Sequence, residues 1–371
     1  MENENPVVIF GAGKTGRGFL ARLLDEQGFP VVLIDRDTEL IRQIRNGYRI
    51  TYYGSRSPRE IIPADAVTLE DPKAADYARK AQNIFVSVGI ANLEAAGRWL
   101  SGQVSPGARL YLCENGSRAR QVMEEALGGS NPVELYPSAV FCTTIEGEGA
   151  GICSEEYDRL FCGRPRGTQI CEGQTQRTGT EPWAPFLEYT DDFPALMTRK
   201  LYTYNAASAI ICYPGSRMGY GDMADAANDP QILQMLSEYY PQIGEALCRE
   251  YGYSRQSQIE FAAASLKKFT NRAIRDSIIR NARNPRVKLG VDERLAGPAR
   301  LIQKYGGDTR ILSKTIAAAL LYPYDEEWKR EVALQGAGRI LKEVCRIPCS
   351  DPLHRQIMDF YQSAVSGATG L

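Results

Sequence analysis

Apolar positions along this chain follow two rhythms. In roughly the first 115 residues, short apolar runs alternate with segments whose apolar residues recur at helical spacing. Val7-Val8-Ile9-Phe10 and Val31-Val32-Leu33-Ile34 predict the first two strands, with Phe19, Leu20, Leu23 and Leu24 on one face of a helix between them. Asp37–Asn46 predicts a helix with Leu40, Ile41 and Ile44 on one side, and Tyr48–Tyr53 a β-rich segment. Asn83–Gly89 predicts a further strand, Leu93–Leu100 its helix and Arg109–Cys113 the next strand. Strands alternating with helices predict a mainly parallel sheet with right-handed crossovers. Val133–Thr144 and Asp158–Cys162 predict short strands, and polar, glycine-rich Gly163–Thr180 an exposed loop or hairpin. From about Arg199 the rhythm is helical, with long segments at Ile232–Glu250, Gln256–Lys268, Ile311–Tyr322 and Glu326–Val344. The pattern predicts an α/β domain over 1–195 and an all-α domain over 196–371.

The first strand runs into Gly11-Ala12-Gly13-Lys14-Thr15-Gly16, the G-x-G-x-x-G spacing of a dinucleotide pyrophosphate site. Gly11 permits the tight turn, Gly13 lets the backbone approach the phosphates, and Gly16 lets the helix pack on the strand. Thr15 sits at the helix N-terminus, where free N–H groups and the dipole favour an anion. Asp35 ends the second strand nineteen residues past Gly16 and is placed to bond the adenosine ribose. Its charge opposes a 2′-phosphate and favours NAD, although Arg36 beside it is a feature compatible with NADP. Ligands of such sheets bind at the carboxyl ends of strands, so Gly11, Asp35, Gly89 and Asn115 are expected along one edge. This first domain reads as Rossmann-type.

Composition narrows the chemistry. The net charge of −1 over 371 residues gives no general attraction to nucleic acid or anionic membrane. No apolar run approaches a membrane span, and the polar, acidic N-terminus does not resemble a signal peptide. Nine cysteines without a C-x-x-C pair predict reduced thiols in a cytoplasm. Cys153, Cys162 and Cys171 are evenly spaced but lack a nearby histidine, so no metal site is expected. Cys345 and Cys349 have the spacing to face each other on a helix, and burial is expected of them. The single histidine, His354, argues against a histidine nucleophile system or a histidine-rich metal site.

A dehydrogenase of this composition needs another proton acceptor. A Tyr-x-x-x-Lys arrangement fails at Tyr202 and Tyr204, because no lysine follows four residues later. Lys200 opens the expected helical domain, and desolvation beside a nucleotide would lower its pKa towards that of a general base. Asn205 and Ser208 share a helix face, with Lys200 off it. On spacing alone, a solvated helix-end lysine is the more natural reading. A basic run follows: Lys267, Lys268, Arg272, Arg275, Arg280, Arg283, Arg286 and Lys288 against Asp276 alone. With only Phe269 as an interleaved aromatic, it fits a pocket for a polyhydroxylated or phosphorylated small molecule better than nucleic acid. An Asp276–Arg280 helix salt bridge is the plainer alternative for part of it.

Phe10 through Phe19 with its G-R-G-F, Cys113-Glu114-Asn115, Arg199-Lys200-Leu201 through Asn205, and Phe269-x-Asn271 with Asp276, Arg280, Pro285, Lys288-Leu289 and Asp292–Leu295 resemble, in order, the polyol-specific long-chain dehydrogenases. The resemblance covers nearly the whole chain. It implies a Rossmann-type domain followed by a helical domain, no metal, and an active site between the two. It implies Lys200 as general acid/base, Asn115 and Asn205 as residues positioning the substrate oxygen, and Arg280 and Lys288 as the grip on the distal part of the polyol. The family's histidine three residues past the asparagine is replaced by Ser208, which is shorter and holds no charge, so the departure bears on substrate choice.

The expectation is an NAD-dependent oxidoreductase interconverting a polyol or polyol phosphate with its ketose, acting as a monomer or homodimer on a small molecule. The chain length is closer to the phosphate-handling branch of the family. A ketopantoate or 3-hydroxyacid reductase, and a non-catalytic NAD(H)-sensing protein, are the alternatives.

Overall fold

The computed structural model describes residues 6–116, 118–129, 132–165, 180–181 and 183–367. Most of the expected Gly163–Thr180 loop, and Cys171 with it, lies outside the described residues. The chain divides into two compact units, Met1–Met197 and Thr198–Leu371.

Among the described residues, the first unit holds thirteen strands: β1 (Val7–Phe10), β2 (Val31–Asp35), β3 (Tyr48–Tyr52), β4 (Arg59–Ile61), β5 (Asp65–Thr68), β6 (Asn83–Val86), β7 (Arg109–Leu112), β8 (Glu134–Ala139), β9 (Thr144–Glu146), β10 (Ile152–Ser154), β11 (Leu160–Gly163), β12 (Thr180–Glu181) and β13 (Ala184–Thr190). Nine form one sheet in the order β12-β13-β11-β8-β7-β6-β1-β2-β5. The run β5-β2-β1-β6-β7-β8 is parallel throughout. It has the strand order of a Rossmann dinucleotide fold, with the topological reversal falling between β1 and β6. Val7 and Ile9 face one apolar core while Val8 and Phe10 face the other, so both sides of β1 are covered. That double burial is why its sequence is a continuous apolar run and does not alternate.

The other four strands form a small sheet ordered β4-β3-β10-β9. The β-rich Tyr48–Tyr53 segment is β3 of this sheet. The expected Val133–Thr144 strand is in fact β8, a non-strand stretch, and then the start of β9 in the second sheet. Strand β5 and the helix Pro72–Lys80 escaped the periodicity reading, because four strand residues and an alanine-rich helix give little apolar signal.

In the second unit, the helix Ala206–Arg217 is central. Ten of its twelve residues are buried, the signature of a helix covered on all sides. It packs with the helices Pro230–Tyr251, Ile278–Ala282 and Arg310–Leu320. Three sequence expectations need correction. Glu326–Val344 is two helices, Glu326–Gln335 and Ala337–Glu343, because Gly336 at φ 79° stops the first. Helical structure begins at Phe193, so Lys200 does not open it. Cys345 and Cys349 lie in the turn after Glu343, Cys345 buried and Cys349 exposed, and share no helix. No described helix is long and apolar enough to cross a membrane.

Candidate functional site

At the carboxyl end of β1 the chain turns through Gly11 at φ 104°, a conformation that L side chains rarely adopt. A Cβ on Gly16 would collide with the Gly11 carbonyl oxygen, so this glycine brings the helix onto the turn. A Cβ on Gly13 would meet no protein atom within 4 Å. Gly13 instead faces a cleft of about 760 Å³ lined by Gly11, Lys14, Arg17, Asp35, Arg36 and Asn92, among others. The helix starts with a π-helical turn, Gly16–Leu20, an irregularity frequent at functional sites.

Asp35 is pinned at the cleft wall. Its Oδ2 accepts the Ala12 N–H at 2.6 Å and its Oδ1 the Asp37 N–H at 3.0 Å. Each oxygen keeps a lone pair, and the carboxylate is held at the edge of the glycine turn. Gly89, at φ 81° beyond β6, donates its N–H to Glu114 Oε1 at 2.6 Å. Burial pushes the Glu114 carboxyl up, against the pull of the Gly89 and Val88 N–H groups. Asn115 holds Val140 with both ends of its carboxamide: Nδ2 donates to the Val140 carbonyl and Oδ1 accepts the Val140 N–H, both at 3.1 Å. It ties the loop after β7 to the end of β8.

In the helical unit, Lys200 ends the helix Phe193–Lys200 and enters a π-helical turn, Leu201–Asn205, in which the Ala206 N–H reaches back to the Leu201 carbonyl. A π turn closes i to i+5, so residues five apart take the relation that residues four apart have in an α-helix. Lys200 stands at the entry of this turn and Asn205 at its end. The lysine is buried, and desolvation, with the Lys268 charge adding to it, holds its pKa well below 10.5. Arg199, beside it, is locked: Nε donates to Gln258 Oε1 at 2.8 Å and Nη2 to the Ser257 carbonyl at 2.6 Å. Its guanidinium lies between the rings of Tyr253 and Phe261 at 4.4 and 4.1 Å. Gln258 in turn donates to Thr203 inside the π turn at 3.1 Å.

Lys288 is also buried. Burial lowers it to about 8, the nearby Cys212 thiol opposing and Arg294 assisting. Its Nζ donates to the Arg283 carbonyl. Cys212, whose charge Lys288 feels, lies one turn beyond Ser208 on the same helix. Arg280 is paired with Asp276, its Nε at 2.7 Å from Oδ1. The basic run is largely discharged across elements, with Arg272 and Arg275 on Asp225 and Arg286 on Glu331. Among the described residues, no group of three or more His, Cys, Asp or Glu side chains converges as a metal site.

Gly11, Gly13, Asp35 and the Gly89 turn thus lie at the carboxyl ends of neighbouring strands, with Gly11, Gly13 and Asp35 on one cleft. Lys200, Asn205 and Ser208 follow one another along one helical run, Lys288 ends the separate helix Pro285–Lys288, and Arg280 carries a carboxylate partner. Two arginines went unremarked as individuals in the sequence. Arg17 is buried beneath the glycine turn, donating to the Ala12 carbonyl at 3.0 Å and the Ala150 carbonyl at 3.1 Å. A charge between two glycines at the start of an apolar helix was its signal. Arg199 gave none beyond its place in the Arg199-Lys200-Leu201 motif.

Residues 7–154 match the family model of ketopantoate reductase PanE/ApbA, and residues 192–337 that of the mannitol dehydrogenase C-terminal domain. The chain is 27% identical over 380 residues to a mannitol-1-phosphate 5-dehydrogenase of Bacillus velezensis, covering 93% of this chain and 96% of that one. Among solved structures it resembles a substrate-free D-sorbitol dehydrogenase, with a TM-score of 0.76 at 14% identity, covering 99% of this chain and 94% of the other. It also resembles Pseudomonas fluorescens mannitol 2-dehydrogenase in ternary complex with NAD and D-mannitol, with a TM-score of 0.71 at 14% identity, covering 98% and 92%. At such identities the structural likeness is one of fold. The resemblance read from the motifs is borne out by the match of residues 192–337 to the mannitol dehydrogenase C-terminal domain and by the mannitol-1-phosphate 5-dehydrogenase relative.

Proposed function

We propose that this protein is an NAD-dependent polyol dehydrogenase that interconverts a sugar alcohol, or its phosphate, with the corresponding ketose. The observation that carries the reading is the buried Lys200, at the entry of a π turn that ends at Asn205, within the segment that matches the mannitol dehydrogenase C-terminal domain.

The cleft fits a dinucleotide: it has the volume of a cofactor site, and Gly13 leaves its floor free of side-chain atoms. Gly11, Gly13, Thr15 and Gly16 would cradle the diphosphate, with Asp35 on the adenosine ribose and the Gly89 turn bordering the same strand ends. Asp35 is fixed by two backbone N–H groups and cannot swing aside, so a 2′-phosphate meets a carboxylate; this supports NAD over NADP, Arg36 notwithstanding. NAD bound there supplies the hydride acceptor. Lys200, its pKa lowered by desolvation, takes the hydroxyl proton during oxidation and returns it during reduction. Asn205 holds the substrate oxygen. Asn115, tied to Val140, acts as a positioning residue for its loop. Ser208, Lys288 and Arg280 bind the remaining hydroxyls or the phosphate. No metal is needed for this proton transfer. Mannitol 1-phosphate with fructose 6-phosphate is the favoured pair, on the name of the Bacillus velezensis relative and the chain length it shares.

Lys200→Ala should lower turnover about 10²- to 10⁴-fold while NADH affinity stays within twofold. Unchanged turnover would remove Lys200 from the mechanism. The ketopantoate reductase match over residues 7–154 favours a second reading, a reductase of 2-keto acids. A panel of fructose 6-phosphate, fructose and ketopantoate, each with NADH and NADPH, separates the two. Binding of NADH without reduction of any of them would indicate a nucleotide-sensing protein.

A further inference from the structure

The cleft has a second side that the glycine fingerprint does not describe. Opposite Gly13 and Lys14 it is lined by Glu146, Gly147, Gly149 and Ala150, from the turn joining β9 to β10. That turn, Glu146-Gly147-Glu148-Gly149-Ala150-Gly151, is closed by the Gly147 N–H on the Gly151 carbonyl and the Gly151 N–H on the Glu148 carbonyl, both at 2.9 Å. Three features press it against the first helix. A Cβ on Gly18 would collide with Ile152 Cγ2, so Gly18 lets β10 approach. Tyr48, from β3, donates its hydroxyl to the Arg17 carbonyl at 2.8 Å. Arg17 joins the two sides directly, one N–H on the Ala12 carbonyl and another on the Ala150 carbonyl. Across the mouth, Lys14 Nζ stands 3.6 Å from Glu146 Oε1, with both side chains substantially exposed.

We propose that the Glu146–Gly151 turn is the second wall of the dinucleotide site, and that Glu146 is a resident competitor for Lys14 which an incoming diphosphate displaces. The inference rests on the dinucleotide reading of the cleft. Its logic is charge exchange. The Lys14 ammonium holds one carboxylate, while a diphosphate offers it several anionic oxygens beside the helix N-terminus. When Lys14 turns to the diphosphate, Glu146 loses its partner and faces the cofactor with like charge. The pair therefore lowers affinity for the nucleotide and makes its release easier. Arg17 is a positioning residue in this scheme, buried and turned towards two carbonyls, with its charge under the wall.

The test is NADH binding, followed by nucleotide fluorescence, at low and high salt. Glu146→Gln should tighten binding about two- to fivefold at low ionic strength, and the gain should fade at high salt, as for any exposed ion pair. Lys14→Met should weaken binding by a similar factor. The opposite signs are the signature. If the pair only clasped the wall in place, both substitutions would weaken binding, and that result, or no effect of Glu146→Gln, would overturn the competitor role. The wall itself is read by amide exchange: the amides of 147–151 should slow when NADH is added, and unchanged exchange there would remove the turn from the site. If the unmodified protein bound no NADH, the dinucleotide reading would fall and take this one with it. Binding with unaltered behaviour in Glu146→Gln would sink the competitor alone.

Discussion

Both units break helical register beside the residues singled out here, with a π turn at Gly16–Leu20 in one and at Leu201–Asn205 in the other. The same device presents opposite things. At Gly16 the wide turn follows bare backbone, and the site is made by leaving side chains out: no Cβ at Gly13, none at Gly16, none at Gly18. At Leu201–Asn205 it re-aims side chains, and the site is made by burying cations that water would rather keep. A site built from backbone is written in glycine and can be read locally. A site built from desolvated lysines is written in what surrounds them, and that is supplied by helices far along the chain.

The contrast breaks first at the glycines. Gly16→Ala forces a Cβ onto the Gly11 carbonyl and should cost about 3 kcal/mol of stability, read from urea unfolding. Gly13→Ala, with open space around the new methyl, should stay within about 1 kcal/mol and instead weaken NADH binding tenfold or more. Equal stability losses would mean that Gly13 is also a packing residue. Next comes the clamp behind Lys200. Arg199→Met strips Gln258 and the Ser257 carbonyl of a charged donor inside the fold and should destabilise by about 2–3 kcal/mol. Arg199→Lys should restore part of the charge but neither the forked geometry nor the stacking between Tyr253 and Phe261.

The smallest effects are the most discriminating, because they concern charge alone. The folded-state pKa of Lys200 lies below its ordinary 10.5, so between the two values the unfolded chain binds more protons and stability rises with pH. Below the folded value the penalty is complete. Lys200→Met should therefore flatten the rise in stability with pH between those two values while abolishing turnover; an unchanged pH dependence would assign that rise to other groups. Since the Lys268 charge adds to the depression, Lys268→Met should move the rising limb of the oxidation pH profile to higher pH. A limb that stays put would assign it to another group.

The Rossmann half was legible because its two rules are local: a doubly covered strand reads as an unbroken apolar run, and a turn at φ 104° calls for glycine. The small sheet was hidden because β9 and β10 are three residues each and β10 pairs with β3, about a hundred positions away, which leaves no periodic trace. The helical half was legible as helix but not as site. Ten buried residues in Ala206–Arg217 predict a core and say nothing of chemistry, and Lys200 looked like a solvated helix-end lysine until its family motif was compared. The π turn between it and Asn205 depends on one extra residue, and no propensity announces that. The basic run misled in part, since Asp225 and Glu331, which take up Arg272, Arg275 and Arg286, are remote in sequence.

The pairing of Ile50 with Ile152 and of Tyr52 with Ser154 has a consequence in time. As the chain leaves the ribosome, the glycine turn, β1, β2 and the first helix are all made within the first 35 residues and can associate at once. The strand that closes over that helix arrives more than a hundred residues later, and such long-range pairing is slow to nucleate. A nascent chain halted before residue 144 would carry the complete glycine fingerprint, with Arg17 reaching towards a carbonyl not yet synthesised. Nucleotide capture should accordingly trail strand formation in a refolding experiment, the cradle finished first and its opposite side last.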